Sequence, residues 1–236
     1  MTNRDYLAFL NSLMEAGREE EALKWVPRER AGRSEELGAM IYGRDDKGRF
    51  MLVADADGDM WDPDWPLTMV SAYAAEAYCR WKSEETGLQF RLPTEFEWEK
   101  SARGADGRWH VWGAGFDESY CCMVDSHEGR RLPSVVDDYP IDNSVYGVRG
   151  LAGNMSDWTS SPWRRDWHEP EDGSDWVTRG GSWYFNARYA RTAYRVNTAP
   201  SFISSSLGFR FARSLKDVDT SRDLSLSQRT LLKRNR

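Results

Sequence analysis

The chain has 236 residues and a formal net charge of -6, with 38 acidic side chains against 32 basic ones. That length can bury a sizeable core in one irregular domain. The cations are scattered among acids, and no apolar run approaches the roughly 20 residues of a bilayer span, so neither nucleic acid nor membrane is expected as a partner.

Residues 3–24 open on cap candidates Asn3 and Asp5 and set Tyr6, Leu7, Phe9, Leu10, Leu13 and Met14 at helical spacing, with Gly17 interrupting. The polar stretch up to Pro66 holds one strand-like piece, Arg49-Phe-Met-Leu-Val53, and the acidic run Asp55-Ala-Asp-Gly-Asp59. That run is only loosely like a calcium loop: its Gly is misplaced and no Glu follows at the right distance, so it reads as a solvated turn. A second helix is expected over 70–85, with an apolar stripe through Val70, Tyr73, Ala74, Ala77, Tyr78 and Trp81 and a stop at Gly87. Arg91-Leu-Pro-Thr-Glu-Phe-Glu-Trp-Glu99 then reads as an extended entry, a capping box from Thr94 to Glu97, and a short helix carrying Trp98. From Gly104 onward glycines and tryptophans punctuate a largely loop-like region, and residues 216–236 form a polar tail.

Twelve tryptophans, ten tyrosines and nine phenylalanines fit a loop-rich fold pinned by large rings. Cys79, Cys121 and Cys122 have no metal-ligand spacing and read as reduced thiols in or near the core. His110, His127 and His168 show no i, i+4 pair, so none is nominated as a ligand or base. The start, Met1-Thr-Asn-Arg-Asp5, lacks a signal-peptide pattern, and the chain reads as cytoplasmic.

Taken in order, Thr2-Asn3, Arg91-Leu-Pro-Thr-Glu95, Trp98-Glu99, Tyr146-Gly147-Val148, Gly153-Asn154, Asp157-Trp158, Arg179-Gly-Gly-Ser-Trp183 and Leu207-Gly-Phe-Arg210 resemble the formylglycine-generating-enzyme-like (sulfatase-modifying factor) family. The resemblance covers about residues 2 to 214 and implies an α+β, C-type-lectin-like fold of twisted antiparallel strands, few helices and long ordered loops. Relatives usually carry strands ahead of the Thr-Asn motif, and none precedes it here. The family's oxidases hold copper(I) on two cysteines, whose places fall near Ala187 and Thr192, so a non-catalytic domain is expected. The resemblance also implies structural calcium on loop oxygens, here of Asn154 and Asp157; turn capping by the same side chains is the competing reading. No other cofactor is expected.

Between Trp183 and Leu207 aromatics alternate with small polar residues without strand or helix period. This stretch is similar to the variable region of retroelement-diversified proteins, in which adenines of Asn codons are mutated. The candidate ligand-binding positions are Tyr184, Phe185, Asn186, Tyr189, Tyr194, Val196, Asn197, Thr198, Phe202, Ile203, Ser204, Ser205 and Ser206. Each type is reachable from an Asn codon by changing its first two adenines; Lys, Glu, Gln, Met and Trp, which are not, do not occur between 184 and 206. Ala187, Arg188, Ala190, Arg191, Thr192, Ala193, Arg195, Ala199 and Pro200 would be the fixed scaffold, with guanidiniums bridging loop carbonyls.

The expected function is binding of a protein or other ligand through this surface, flanked by Trp183, Trp158 and Trp163. Three other readings stand beside it. The 55–66 segment and the Gly150-to-Asn154 motif also resemble fixed-ligand modules of bacterial serine/threonine kinases. An atypical metal-dependent oxidase would use Cys79, Cys121 or Cys122, and an oligomer-forming domain would use the aromatic face for self-association.

Overall fold

A computed structural model describes residues 1–30, 37–55, 58–164 and 175–214. Thr2 starts helix α1 (Asn3–Glu15): its hydroxyl accepts from the Asp5 N–H while the Asp5 carboxylate accepts from the Thr2 N–H. This reciprocal pair satisfies donors that a helix start leaves open. Gly17, at φ 71°, turns the chain through a left-handed conformation, and α2 (Glu19–Trp25) follows, so the interrupted helix expected over 3–24 is two helices.

Strand β1 (Arg28–Arg30) pairs with β2 (Leu37–Met40), and β3 (Tyr42–Arg44) with β4 (Phe50–Leu52), both antiparallel. The strand read at 49–53 is therefore the returning arm of a hairpin. Helix α3 (Ala72–Thr86) starts where the Ser71 hydroxyl accepts from the Ala74 N–H and stops at Gly87. After β5 (Phe90–Arg91) comes α4 (Glu95–Arg103), opened by the capping box of Thr94 and Glu97. Residues 104–155 run as turns with one 3-10 turn at Glu118–Tyr120.

The main sheet joins β6 (Ser156–Pro162), β7 (Trp176–Arg179), β8 (Arg195–Thr198) and β9 (Leu207–Phe209) in the order β8-β7-β6-β9. β10 (Ala212–Arg213) pairs with β5. Three of the four sheet strands follow the antiparallel expectation; β9 instead lies parallel to β6, Ser156 opposite Leu207 and Trp158 opposite Phe209. The 184–206 segment, read as lacking any period, contains a 3-10 turn at Ala187–Ala190 and strand β8. Both elements are four residues long, too short to show a period.

Two apolar clusters hold the chain. In the larger, Tyr6 and Phe9 of α1 meet Tyr78 of α3 and Phe209 of β9, with ring centroids 5.3–6.5 Å apart, over buried Trp158. Each side chain buried there contributes roughly 1.5–3 kcal/mol. The smaller joins Trp98 and Ala102 of α4 to Val111, Cys121, Met123, Leu151, Ala152 and Ala190. It fastens the loop-rich half against the underside of the 3-10 turn at 187–190.

Candidate ligand-binding surface

The site is built on the end of β7. A Cβ on Gly180 would stand 2.9 Å from the Leu151 carbonyl oxygen, and one on Gly181 would strike the Ala152 oxygen, so only glycine lets the chain pass here. Gly180 also holds φ +82°, a conformation other residues rarely adopt. Past this constriction the chain turns outward and presents Trp183 and Tyr184.

Beneath it lies a buried charge cluster. Arg179, with a fully buried side chain, donates to Glu99 at 2.5 Å and to the carbonyls of Thr192 (2.9 Å) and Tyr194 (2.8 Å). Its guanidinium sits 5.0 Å from the Trp98 ring centre. Arg195 pairs with Glu95 through two 2.7 Å contacts, donates to the Arg164 carbonyl at 3.0 Å and stacks 4.3 Å from Trp163. Glu95, Trp98 and Glu99 come from one face of α4, the helix that the Thr94 box starts. Burial draws the Arg179 guanidinium below its usual value, while the two glutamates oppose that. Arg179 thus holds the chain by the carbonyls of Thr192 and Tyr194, while Arg195 ties its own strand to Glu95 and to the Arg164 carbonyl.

Above this frame is a cavity of about 330 Å³. Nine candidate positions line it: Tyr184, Phe185, Tyr194, Val196, Thr198, Phe202, Ser204, Ser205 and Ser206. Ser156, Thr178, Gly180, Trp183 and Leu207 complete the wall, and no lining residue is charged. Among these, Gly180 and Leu207 belong to motifs read in the sequence, whereas Ser156 and Thr178 were not assigned to the surface; alternation along β6 and β7 is the signal that could have found the two hydroxyls. Their hydroxyls are already engaged, Ser156 donating to the Gly180 carbonyl and Thr178 meeting Thr198 at 3.2 Å.

Five rings run continuously across the surface. Centroid separations from Trp183 to Tyr184, Phe185, Tyr189 and Tyr194 are 5.6, 6.1, 4.5 and 4.7 Å. Tyr184 is 61% exposed, so at least this ring is not core filler. Four candidates lie off the cavity. Tyr189 stacks behind Phe185; the Asn186 side chain caps the 187–190 turn by accepting from Arg188; Asn197 donates to Asp175; Ile203 is half-buried. Of the expected flanking tryptophans, Trp183 lines the cavity and Trp163 packs on Arg195. Trp158 corrects the expectation: it is wholly buried within the larger core cluster and donates to the Val70 carbonyl.

The side-chain amide of Asn154 forms a two-way bond with the Ser134 backbone, at 2.9 and 3.1 Å. Asp157 accepts from Trp98 Nε1 (2.8 Å) and Arg210 Nε (2.6 Å). Both groups named for calcium are thus in protein contacts, and their partners differ. Asp142, not singled out from the sequence, has its carboxylate inside the turn 151–153, accepting from the N–H groups of Leu151, Ala152 and Gly153 at 3.1 Å. Burial outweighs these donors and pushes its pKa up to about 6.

All three thiols are buried, and burial pushes Cys79 up to about 12 and Cys122 to about 11, with Cys121 raised as well. Cys122 lies 3.3 Å from His127 Nε2, and His110 stacks on Trp112 at 5.3 Å. His168 lies outside the described residues. Thiols so disfavoured as thiolates are poor nucleophiles and poor metal ligands. In the acidic run, Asp55 accepts from the Asp59 N–H and Trp61 Nε1, and Asp59 pairs with Arg130; Ala56 and Asp57 lie outside the described residues. No helix of the described residues is long and apolar enough to cross a membrane.

These features define a C-type-lectin-like domain with a concave aromatic face set on a buried arginine–glutamate frame. Residues 2–215 match the family described as sulfatase-modifying factor enzyme 1-like domain, and the chain belongs to that family. It is 32% identical over 163 residues to the inactive C-alpha-formylglycine-generating enzyme 2 of Bos taurus, covering 63% of this chain and 50% of that protein. It is 29% identical over 218 residues to the hercynine oxygenase of Mycolicibacterium smegmatis, covering 83% and 47%. The chain thus spans about half the length of the curated relatives it matches. Among solved structures, Treponema denticola variable protein 1 superposes with a TM-score of 0.53 at 25% identity, covering 63% of this chain and 71% of that one.

Proposed function

We propose that this domain is a non-catalytic binding module whose 184–206 surface recognises a protein ligand, and that side chains on this surface are diversified. The observation that carries the reading is the gathering of nine candidate positions around one uncharged cavity, while the scaffold residues Thr192 and Arg195 lie in the frame beneath. Rigid rings with few rotatable bonds, interspersed with serines, give contact area at low entropic cost.

Support for a non-catalytic role comes from Ala187 and Thr192 standing near the places of the oxidase cysteines, and from the suppressed acidity of the three thiols. The likeness to a protein titled a variable protein and to an enzyme described as inactive points the same way. The relatives named hercynine oxygenase and formylglycine-generating enzyme favour a second, catalytic reading.

Sequencing the encoding locus across related strains tests diversification directly. Changes confined to Asn-type codons at the thirteen positions, with a reverse transcriptase and a near-copy of the segment nearby, are the expected result. An invariant segment without that neighbour would overturn it and leave a fixed-ligand module.

A further inference from the structure

The aromatic cavity does not end at its own rim. Trp183 and Ser205, which line it, also line a second cavity of about 340 Å³, walled on one side by Asp55, Asp59, Trp61, Trp65 and Thr68 and on the other by residues 130–133. Two more indoles, Trp61 and Trp65, form its walls. None of these three tryptophans is reachable from an Asn codon, so apart from Ser205 this half of the surface would stay constant while the other half changes.

Its polar groups fall into two sets. The carboxylates are occupied internally: Asp59 by the Arg130 guanidinium at 2.7 Å, and Asp55 by Trp61 Nε1 at 3.1 Å and the Asp59 N–H at 2.9 Å. What is left over donates. Arg131 is exposed at the cleft and has no partner among the described residues, and the same holds for the indole N–H of Trp65. A chain of net charge -6 therefore offers, beside an uncharged cavity, a cleft whose free capacity is a guanidinium and an indole N–H.

We propose that this cleft is a fixed second subsite, and that it takes the carboxylate of an Asp or Glu side chain in a protein ligand whose apolar neighbour fills the 184–206 cavity; the proposal rests on the binding role argued above. A guanidinium suits a carboxylate, and the indole walls exclude water from the pair. The subsites share the Trp183 ring. In an extended ligand, residues two apart point to the same side about 7 Å apart, near the breadth of one indole, so the acidic and apolar residues stand at i and i+2.

Selection of displayed random linear dodecapeptides against the whole chain tests this. Wild-type chain is expected to enrich peptides with Asp or Glu two places from a large apolar residue. Arg131→Gln is expected to weaken those peptides roughly five-fold, and Arg131→Glu to turn the preference to Lys or Arg, both with unchanged thermal melts. Apolar enrichment that depends on Phe202 but shows no acidic partner, or an acidic preference that survives Arg131→Glu, overturns the subsite and leaves the binding role standing. Failure of any peptide to enrich overturns both.

Discussion

The rim and the frame of the candidate site are built from opposite materials. On the rim, Tyr184, Phe185, Tyr194 and Phe202 are partly or largely exposed, the first three in the run of rings and Phe202 against the larger core, whereas in the frame Arg179 and Glu95 are almost fully buried, each charge committed to named partners. The contrast teaches that the chain under the surface is gripped from beneath, by Arg179 on the carbonyls of Thr192 and Tyr194. In the proposed reading, folding and recognition fall to different residues a few positions apart.

The strongest way to break that division is Arg179→Leu. It leaves Glu99 and the carbonyls of Thr192 and Tyr194 without their donor and is expected to cost about 3–5 kcal/mol in a urea unfolding curve. Asp142→Asn puts an amide donor against the N–H groups of 151–153 and is expected to cost about 2–3 kcal/mol. The same carboxyl links stability to pH. Its folded pKa of about 6 lies above the ordinary 3.8, so its contribution is complete below about pH 4 and falls as pH rises through 6. In Asp142→Asn that slope is expected to flatten.

A smaller effect is expected from Glu97→Gln, about 0.5–1 kcal/mol, because the capping box and an ion pair with Arg91 are half exposed and screened. Arg91 holds the Glu97 carboxyl down at about 2, so its contribution is present above pH 4.5 and is lost as pH falls towards 2, opposite in sign to Asp142. Tyr184→Ala should change stability least, within about 0.5 kcal/mol by the same curve. If Tyr184→Ala unfolds the domain as Arg179→Leu does, rim and frame are one structure and the division fails.

What the sequence made legible follows the same line. Helices α1 and α3 were readable because their apolar residues repeat at helical spacing, and α4 because its Thr94–Glu97 box is local. The hydroxyl caps of the first two, Thr2 and Ser71, were missed, with Asn3 and Asp5 standing for the first. The break at Gly17 was visible, but the left-handed turn that makes two helices of one was not, since it depends on backbone geometry. Strands of two to four residues such as β1, β5 and β8 are too short to show alternation. The cavity positions came from a codon pattern and a resemblance. The roles of Arg179 and Asp142 depend on contacts between residues 9 to 80 positions apart, which no local pattern records.

Strand β8 has one further consequence. Among the described residues it lies at the margin of the sheet and pairs only with β7, Arg195 opposite Arg179 through Thr198 opposite Trp176. Ladder bonds join main-chain groups, which are the same whatever the side chain, so Val196, Asn197 and Thr198 can be exchanged without shifting the pairing. The anchor at one end of the ladder is the Arg195–Glu95 pair, outside the exchangeable set. A lineage could therefore alter these three residues repeatedly, and each version would inherit the same folded address for its new side chains.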